Sequence, residues 1–291
     1  MMAAKQTIAL IGAKGMLASM IVKRLPEEYR ILPFDLPEFD LTNPGQVART
    51  MARERPAIIL NCAAMTDVDG CETRQDPAMR INGDGPGLLA KAAQEIGAVL
   101  AHISTDFVFD GAKDSPYVEE DDTGPLSVYG ASKLLGEQRI RESGLKRYFI
   151  VRTSWLYGPN GKNFVETIAR LAGEREELRI VADQRGTPTY TGDLAEALFA
   201  LLKTDAYGLY HFSNGGECSW HQFATEIIEQ LKLRGKNIVA KTLVPVATHE
   251  FPLPAKRPAY SVLSKTKIIA QTGRTIPDWR KSLQIHISQR N

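Results

Sequence analysis

Three cysteines in 291 residues, Cys62, Cys71 and Cys218, are too few and too scattered for a disulfide framework or a CxxC metal knuckle. Their odd number fits free thiols in a reducing compartment. Histidine is also scarce: His102, His211, His221, His249 and His286 show no HExxH or paired-ligand spacing, so no metal is expected. His102, in an apolar strand, reads as a satisfied core residue, and the acidic run Glu119 to Asp122 as a solvated loop rather than a cation site. Neither sign of charge dominates, with 36 Lys+Arg against 34 Asp+Glu. No basic stripe interleaves with aromatics, which argues against a nucleic-acid partner. Long apolar runs are missing too. The first, Thr7 to Ile11, is too short for a signal-sequence core or a membrane span, so a cytoplasmic protein without a membrane partner is expected. Repeats, low-complexity tracts and long linkers are absent. What is left is small-molecule work in a chain that is 43% hydrophobic and long enough for two lobes.

Short aliphatic runs alternate with amphipathic stretches through the first half, the pattern of βαβ units feeding a parallel sheet. Strands are expected at Thr7 to Ile11, Arg30 to Phe34, Ala57 to Asn61, Ala98 to Ser104 and Tyr148 to Arg152. Helices are expected over Met16 to Leu25, from Asn43 as cap with Pro44 in the first turn, and over Gly83 to Ile96. The fold class is therefore α/β, a doubly wound parallel sheet of Rossmann type, with a smaller α+β substrate-binding lobe. Residues 1–160 form the dinucleotide-binding domain, 185–215 return to it, and 161–184 with 216–291 make most of the lobe. Within these later stretches, helices are expected over Asn163 to Ala172, Gly192 to Leu202 and Ser219 to Leu233.

Ile8 to Ile11 followed by Gly12-x-x-Gly15-x-x-Ala18 reads as strand, tight turn, helix. The first glycine reverses the chain, the second lets amides approach a pyrophosphate, and the small third residue lets helix and strand pack closely. The unpaired amides and dipole of the helix start favour an anion. Asp35, at the end of the second strand, can accept both ribose hydroxyls and repel a 2′-phosphate, which leans the cofactor toward NADH over NADPH.

Tyr129 and Lys133 lie four apart on one helix, so their side chains can address one site. Reducing a ketone needs a proton at oxygen as hydride reaches carbon, and free tyrosine is a weak acid for this. A nearby ammonium favours the phenolate; a drop of roughly 3 units corresponds to about 4 kcal/mol, part of which Lys133 can supply. Thr105, at the C-terminal end of a central strand, can hold the carbonyl oxygen.

These residues sit in longer blocks. Asn61 to Asp69, Ser104-Thr-Asp-Phe-Val-Phe-Asp-Gly111, Tyr129-Gly-Ala-Ser-Lys-Leu-Leu-Gly-Glu137, Arg152-Thr-Ser-Trp-Leu-Tyr157, Asn163-Phe164, Asp183 to Thr189 and Arg257-Pro-x-x-Ser261 occur in this order. The chain resembles the extended short-chain dehydrogenase/reductases, and within them the dTDP-4-dehydrorhamnose reductase family. The resemblance implies reduction of the C4 ketone of dTDP-4-dehydro-L-rhamnose by NAD(P)H, with Thr105, Tyr129 and Lys133 as catalytic triad. It assigns Gly12, Gly15, Met16, Leu17, Asp35, Asp40, Leu41, Ala63, Ala64, Thr66 and Asn82 to the cofactor, together with Tyr129 and Lys133. Val68, Thr105, Asp106, Phe107, Trp155 and Arg257 are assigned to the dTDP-sugar. Lys162, Arg185 and Lys256 are further candidates for its diphosphate, although only Arg257 is a residue that a family block specifies.

Phe107 stands where the family usually has tyrosine, Ala18 replaces a third glycine, and Gly70 occupies a position that is often basic. Two other readings stay open. A nucleotide-sugar epimerase or dehydratase shares the architecture, but a dehydratase needs a glutamate after Asp106, where this chain has Phe107. A non-enzymatic regulatory subunit, like the partner of methionine adenosyltransferase, keeps the cofactor fold and much of the motif set. The choice between monomer and homodimer is equally open.

Overall fold

The computed structural model describes residues 5–290. In chain order it runs β1 (Gln6–Ile11), α1 (Met16–Lys23), β2 (Tyr29–Phe34), α2 (Pro44–Glu54), β3 (Ile58–Asn61), α3 (Val68–Thr73), α4 (Gln75–Ala78), α5 (Gly85–Ile96), β4 (Val99–Thr105), α6 (Val128–Glu142) and β5 (Tyr148–Thr153). There follow β6 (Leu156–Tyr157), α7 (Phe164–Glu174), β7 (Glu177–Val181), β8 (Arg185–Gly186), β9 (Thr189–Tyr190), α8 (Thr191–Leu202), β10 (Gly208–His211), β11 (Cys218–Ser219), α9 (Trp220–Leu233), β12 (Thr242–Val246), α10 (Thr266–Thr272) and α11 (Trp279–Ser288).

Six strands form one parallel sheet in the order β2-β1-β3-β4-β5-β10. Successive strand residues point to opposite faces, and both faces are covered. Ile8, Leu10 and Leu60 pack on the side of α1 and α8, whereas Ala9, Ile11 and Ile59 pack against α2 and α5. This two-sided burial explains why β1 reads as an unbroken apolar run. The strand order reverses between β1 and β3, so a crevice opens beyond their C-terminal ends, where open α/β sheets bind ligands.

The expected strands and helices appear with small shifts at their ends. Asn43 caps α2 through its side chain, with Pro44 in the first turn, and Ser219 caps α9 in a reciprocal box with Gln222. The helix expected from Gly83 begins at Gly85, because Met79–Asp84 forms a π-helical turn. In the later part, β7 pairs with β12 and α7 packs on α9, while α8 lies against α1 and α10 against α8 and β10. The acidic run is not wholly solvated: Glu119 is buried, and its Oε1 accepts from the His211 amide at 2.9 Å.

Beneath the sheet's C-terminal edge lies a buried ion pair. Arg152 on β5 donates through Nε and Nη2 to the two carboxylate oxygens of Glu137 on α6, at 2.9 and 2.7 Å. Ser104 on β4 donates to Glu137 Oε1 at 2.6 Å, and Arg141 reaches Oε2 from the surface at 2.6 Å. The Arg152 guanidinium also stacks over Phe109, and Phe109 lies on Tyr117 with ring centroids 4.1 Å apart. Removing one member of such a pair leaves a buried charge uncompensated. Arg152→Met should therefore lower the unfolding free energy by about 3–5 kcal/mol in denaturant titration, and adding Glu137→Leu should restore much of the loss. An additive double variant would contradict this account.

Candidate active site

Gly12 has φ +78°, and a Cβ there would lie 2.7 Å from the Ala63 amide nitrogen. Only glycine lets the turn after β1 approach the chain leaving β3 this closely. The start of α1 that follows has Gly15 as its cap, with no side chain satisfying its amides. Those free donors face a cavity of about 560 Å³ lined by Lys14 to Ala18, Cys62, Ala64, Thr66, Ser104 to Phe107, Tyr129 and Lys133. Free amides, a helix dipole and close backbone approach fit the pyrophosphate of a dinucleotide.

Asp35 lies across the turn from this cavity. Its Oδ2 accepts from the Lys14 amide at 2.7 Å and its Oδ1 from the Leu36 amide at 2.8 Å. It lines a neighbouring cavity of about 550 Å³ with Ala13, Lys14, Glu38, Phe39, Thr50 and Arg53. Asp40 and Leu41 line neither cavity. Asp40 accepts from the amide and hydroxyl of Thr42, and Leu41 is buried in the core.

Asn82 is buried within the π turn and wholly engaged by protein. Its Oδ1 accepts from the Met65 amide at 2.8 Å, and its Nδ2 donates to Met65 O and Ser132 Oγ, both at 3.0 Å. It therefore ties the 63–66 segment to α6, rather than presenting free polar atoms to the cavity. Such π turns recur at functional sites.

Ser127 caps α6, and Gly130 allows that helix to press against the chain after β4, since a Cβ at Gly130 would lie 2.2 Å from Phe107 O. This contact brings Tyr129 beside Thr105, with Phe107 edge-on to its ring at 5.5 Å. Burial pushes the Tyr129 phenol up to about 12; the Thr105 hydroxyl pulls it down, while Asp106 and Cys71 push it further up. The expected lowering by Lys133 is not seen. Its Nζ instead donates to Ile103 O at 2.6 Å and lies 3.3 Å from His102 Nε2, so its charge is directed into β4. Burial brings Lys133 down to about 8, against the opposing pull of Glu137 and Cys62.

Asp106 is buried. Its Oδ1 accepts from Thr105 Oγ1 at 3.1 Å, and its Oδ2 has no partner within bonding geometry among the described residues. Burial lifts its carboxyl to about 6, opposed by the nearby Ser261 and Thr105 hydroxyls. Its Oδ2 is closed off from solvent, so what this carboxyl holds is the Thr105 hydroxyl.

Val68, Phe107 and Trp155 are walls of this cavity and also of a second one of about 640 Å³. The second is mostly apolar: Phe164, Trp220, Phe251 and Leu253 line it, with Arg179, Lys256 and Arg257 at polar positions. Trp155, at φ +45°, stacks on Trp220 with centroids 3.5 Å apart and planes 9° apart. Trp220 escaped the sequence reading because it counts as one more apolar residue at a helix start. Arg257 is not a free cation: it pairs bidentately with Asp69, at 2.7 Å through both Nη1 and Nη2. Lys162 lines the first cavity, and Arg185 is engaged by Glu217.

The family model described as the RmlD substrate binding domain matches residues 6–291. A dTDP-4-dehydrorhamnose reductase from Burkholderia thailandensis is 38% identical over 94% of this chain and 95% of its own length. The spore coat polysaccharide biosynthesis protein SpsK of Bacillus subtilis is 40% identical over 98% of both chains. The crystal structure of dTDP-4-dehydrorhamnose reductase from Bacillus anthracis in complex with NADP superposes with a TM-score of 0.93 at 41% identity, covering 98% of this chain and 100% of that one. With a matching model over nearly its whole length, and with relatives of this similarity, the chain belongs to the RmlD family of extended short-chain dehydrogenase/reductases.

Proposed function

We propose that the chain reduces the C4 ketone of dTDP-4-dehydro-L-rhamnose to dTDP-L-rhamnose, using a reduced nicotinamide cofactor and Tyr129 as proton donor. The observation that carries this reading is the junction of the two cavities. The one beside the glycine turn suits a dinucleotide, the larger apolar one suits a nucleotide sugar, and Thr105, Asp106 and Tyr129 stand next to their common wall. Residues 1–160 and 185–215 would carry the cofactor, and 161–184 with 216–291 would form most of the substrate lobe.

When bound, the cofactor supplies the hydride. The remaining work falls to side chains. Thr105 stands beside Tyr129 where the ketone oxygen would lie, and the buried Asp106 accepts from its hydroxyl and fixes it. Tyr129 must keep its proton until the oxygen becomes an alkoxide, and its raised pKa does so; an alkoxide is a far stronger base than a phenolate, so the transfer still runs downhill. The apolar walls exclude water from the reacting carbonyl. Dehydration is disfavoured because Phe107 supplies no acid or base beside Asp106.

For the cofactor, the carboxylate oxygens of Asp35 already accept from two backbone amides, and Lys14 and Arg53 line the same cavity. These observations weaken the lean toward NADH, and we infer that both NADH and NADPH are accepted. Their specificity constants should agree within about tenfold, which corresponds to about 1.4 kcal/mol; a hundredfold preference for either would overturn the inference.

Tyr129→Phe should lower kcat about 10²- to 10⁴-fold while cofactor binding persists, followed as loss of reduced-nicotinamide absorbance with the 4-keto sugar nucleotide. Activity near that of the wild type would exclude Tyr129 as the donor. Arg257→Ala should raise KM for the sugar nucleotide several-fold and leave KM for NADPH nearly unchanged. Equal effects on both would show that the Asp69 pairing only holds the loop.

A further inference from the structure

Resting on the reading of Tyr129 as proton donor, we propose that Asn61 and His102 are positioning residues that hold a vacant proton site at Lys133. The Ala63 amide donates to Asn61 Oδ1 at 3.1 Å, which fixes the orientation of that side-chain amide. Asn61 Nδ2, a donor, then faces His102 Nδ1 at 3.0 Å. His102 Nδ1 must accept, so the neutral ring carries its proton on Nε2. That Nε2–H points at Lys133 Nζ, 3.3 Å away. An ammonium has three donors and no acceptor, so it conflicts with a ring N–H, whereas the neutral amine accepts it. Lys133 Nζ meanwhile donates to Ile103 O. His102 is therefore satisfied in the core only when Lys133 has lost its proton.

The charged and titratable groups around Lys133 agree with this polarity. His102 faces it from β4, Cys62 from the end of β3, and Glu137 from its own helix one turn on. Glu137 and Cys62 favour the ammonium, but burial pushes the Cys62 thiol up to about 12, and Glu137 is already held by Arg152, Arg141 and Ser104. His102 itself is kept neutral by burial and by Lys133.

The consequence concerns the second proton step of the cycle. As the ketone is reduced, the Tyr129 O–H bond breaks and the product O–H bond forms, leaving a phenolate. A Lys133 N–H bond then breaks as the Tyr129 O–H bond re-forms, and a solvent proton later restores the ammonium. By accommodating the neutral amine, Asn61 and His102 make Lys133 the stronger acid for this step, across the cavity that Lys133 and Tyr129 both line.

The test combines a spectroscopic and a kinetic readout on the full chain with NADPH bound. Ring-nitrogen NMR should show His102 as the neutral Nε2–H tautomer throughout the neutral range; an Nδ1–H or doubly protonated ring overturns the proposal. In the wild type, kcat should fall as pH rises through about 8, where Lys133 loses its proton. In His102→Gln, a side-chain carbonyl can accept from the ammonium, so this limb should move up by about 1 unit or more, with KM for NADPH within about twofold. Asn61→Asp should shift it the same way, because a carboxylate only accepts, which draws the ring proton to Nδ1 and leaves Nε2 to accept. An unmoved limb in folded variants overturns the proposal. Absence of turnover in the wild type would instead count against the proposed reductase activity, since the tautomer is read without catalysis.

Discussion

The Glu137–Arg152 pair is the constraint on which the rest of the active site depends. It joins α6, which carries Tyr129 and Lys133, to β5, and through Ser104 to β4, which ends in Thr105. A buried pair of this kind is weak evidence for added stability, because desolvation offsets most of its attraction. Its effect is directional. A bidentate guanidinium has one good geometry against a carboxylate, so α6 has one rotation and one height against the sheet. The stack of Arg152 on Phe109 and Phe109 on Tyr117 carries that fixing outward, to the loop after Asp106 and to the C-terminal segment that bridges Tyr117 at Leu263.

Within this frame, burial moves two groups in opposite directions. The Tyr129 phenol goes up and the Lys133 ammonium comes down, because a low dielectric disfavours whichever form is charged. The result is a phenol that holds its proton and an ammonium that gives its proton up more readily. Asp106 and Glu137, the two nearby carboxylates, differ in their surroundings. Glu137 is bound by three donor side chains and is structural, while Asp106 holds the Thr105 hydroxyl and has one buried oxygen without a partner among the described residues.

Much of this was legible in the sequence, for identifiable reasons. Parallel strands buried on both faces leave unbroken apolar runs, so β1, β3, β4 and β5 were visible, as was the glycine turn that only a close backbone approach requires. Helical spacing put Tyr129 and Lys133 on one face. It could not say which way a long flexible lysine would turn, since that depends on Ile103 O and His102, thirty residues away in sequence. Arg257 looked like a free phosphate ligand because its partner, Asp69, lies in another family block 188 positions earlier. The π turn around Asn82 has no compositional signal, and Glu119 looked solvated because the His211 amide that it meets belongs to a strand near the far edge of the sheet. Local pattern encodes elements and faces; long-range polar pairing has to be seen.

Val68, Phe107 and Trp155 form a party wall between the two cavities. A residue that faces two ligands cannot be reshaped for one of them in isolation. A larger or smaller side chain chosen to admit a different sugar would also move the surface against which the cofactor rests. On the proposed function, drift toward new substrates therefore has its freest path along the apolar cavity at Phe251, Leu253 and Arg179, which line that cavity and not its neighbour.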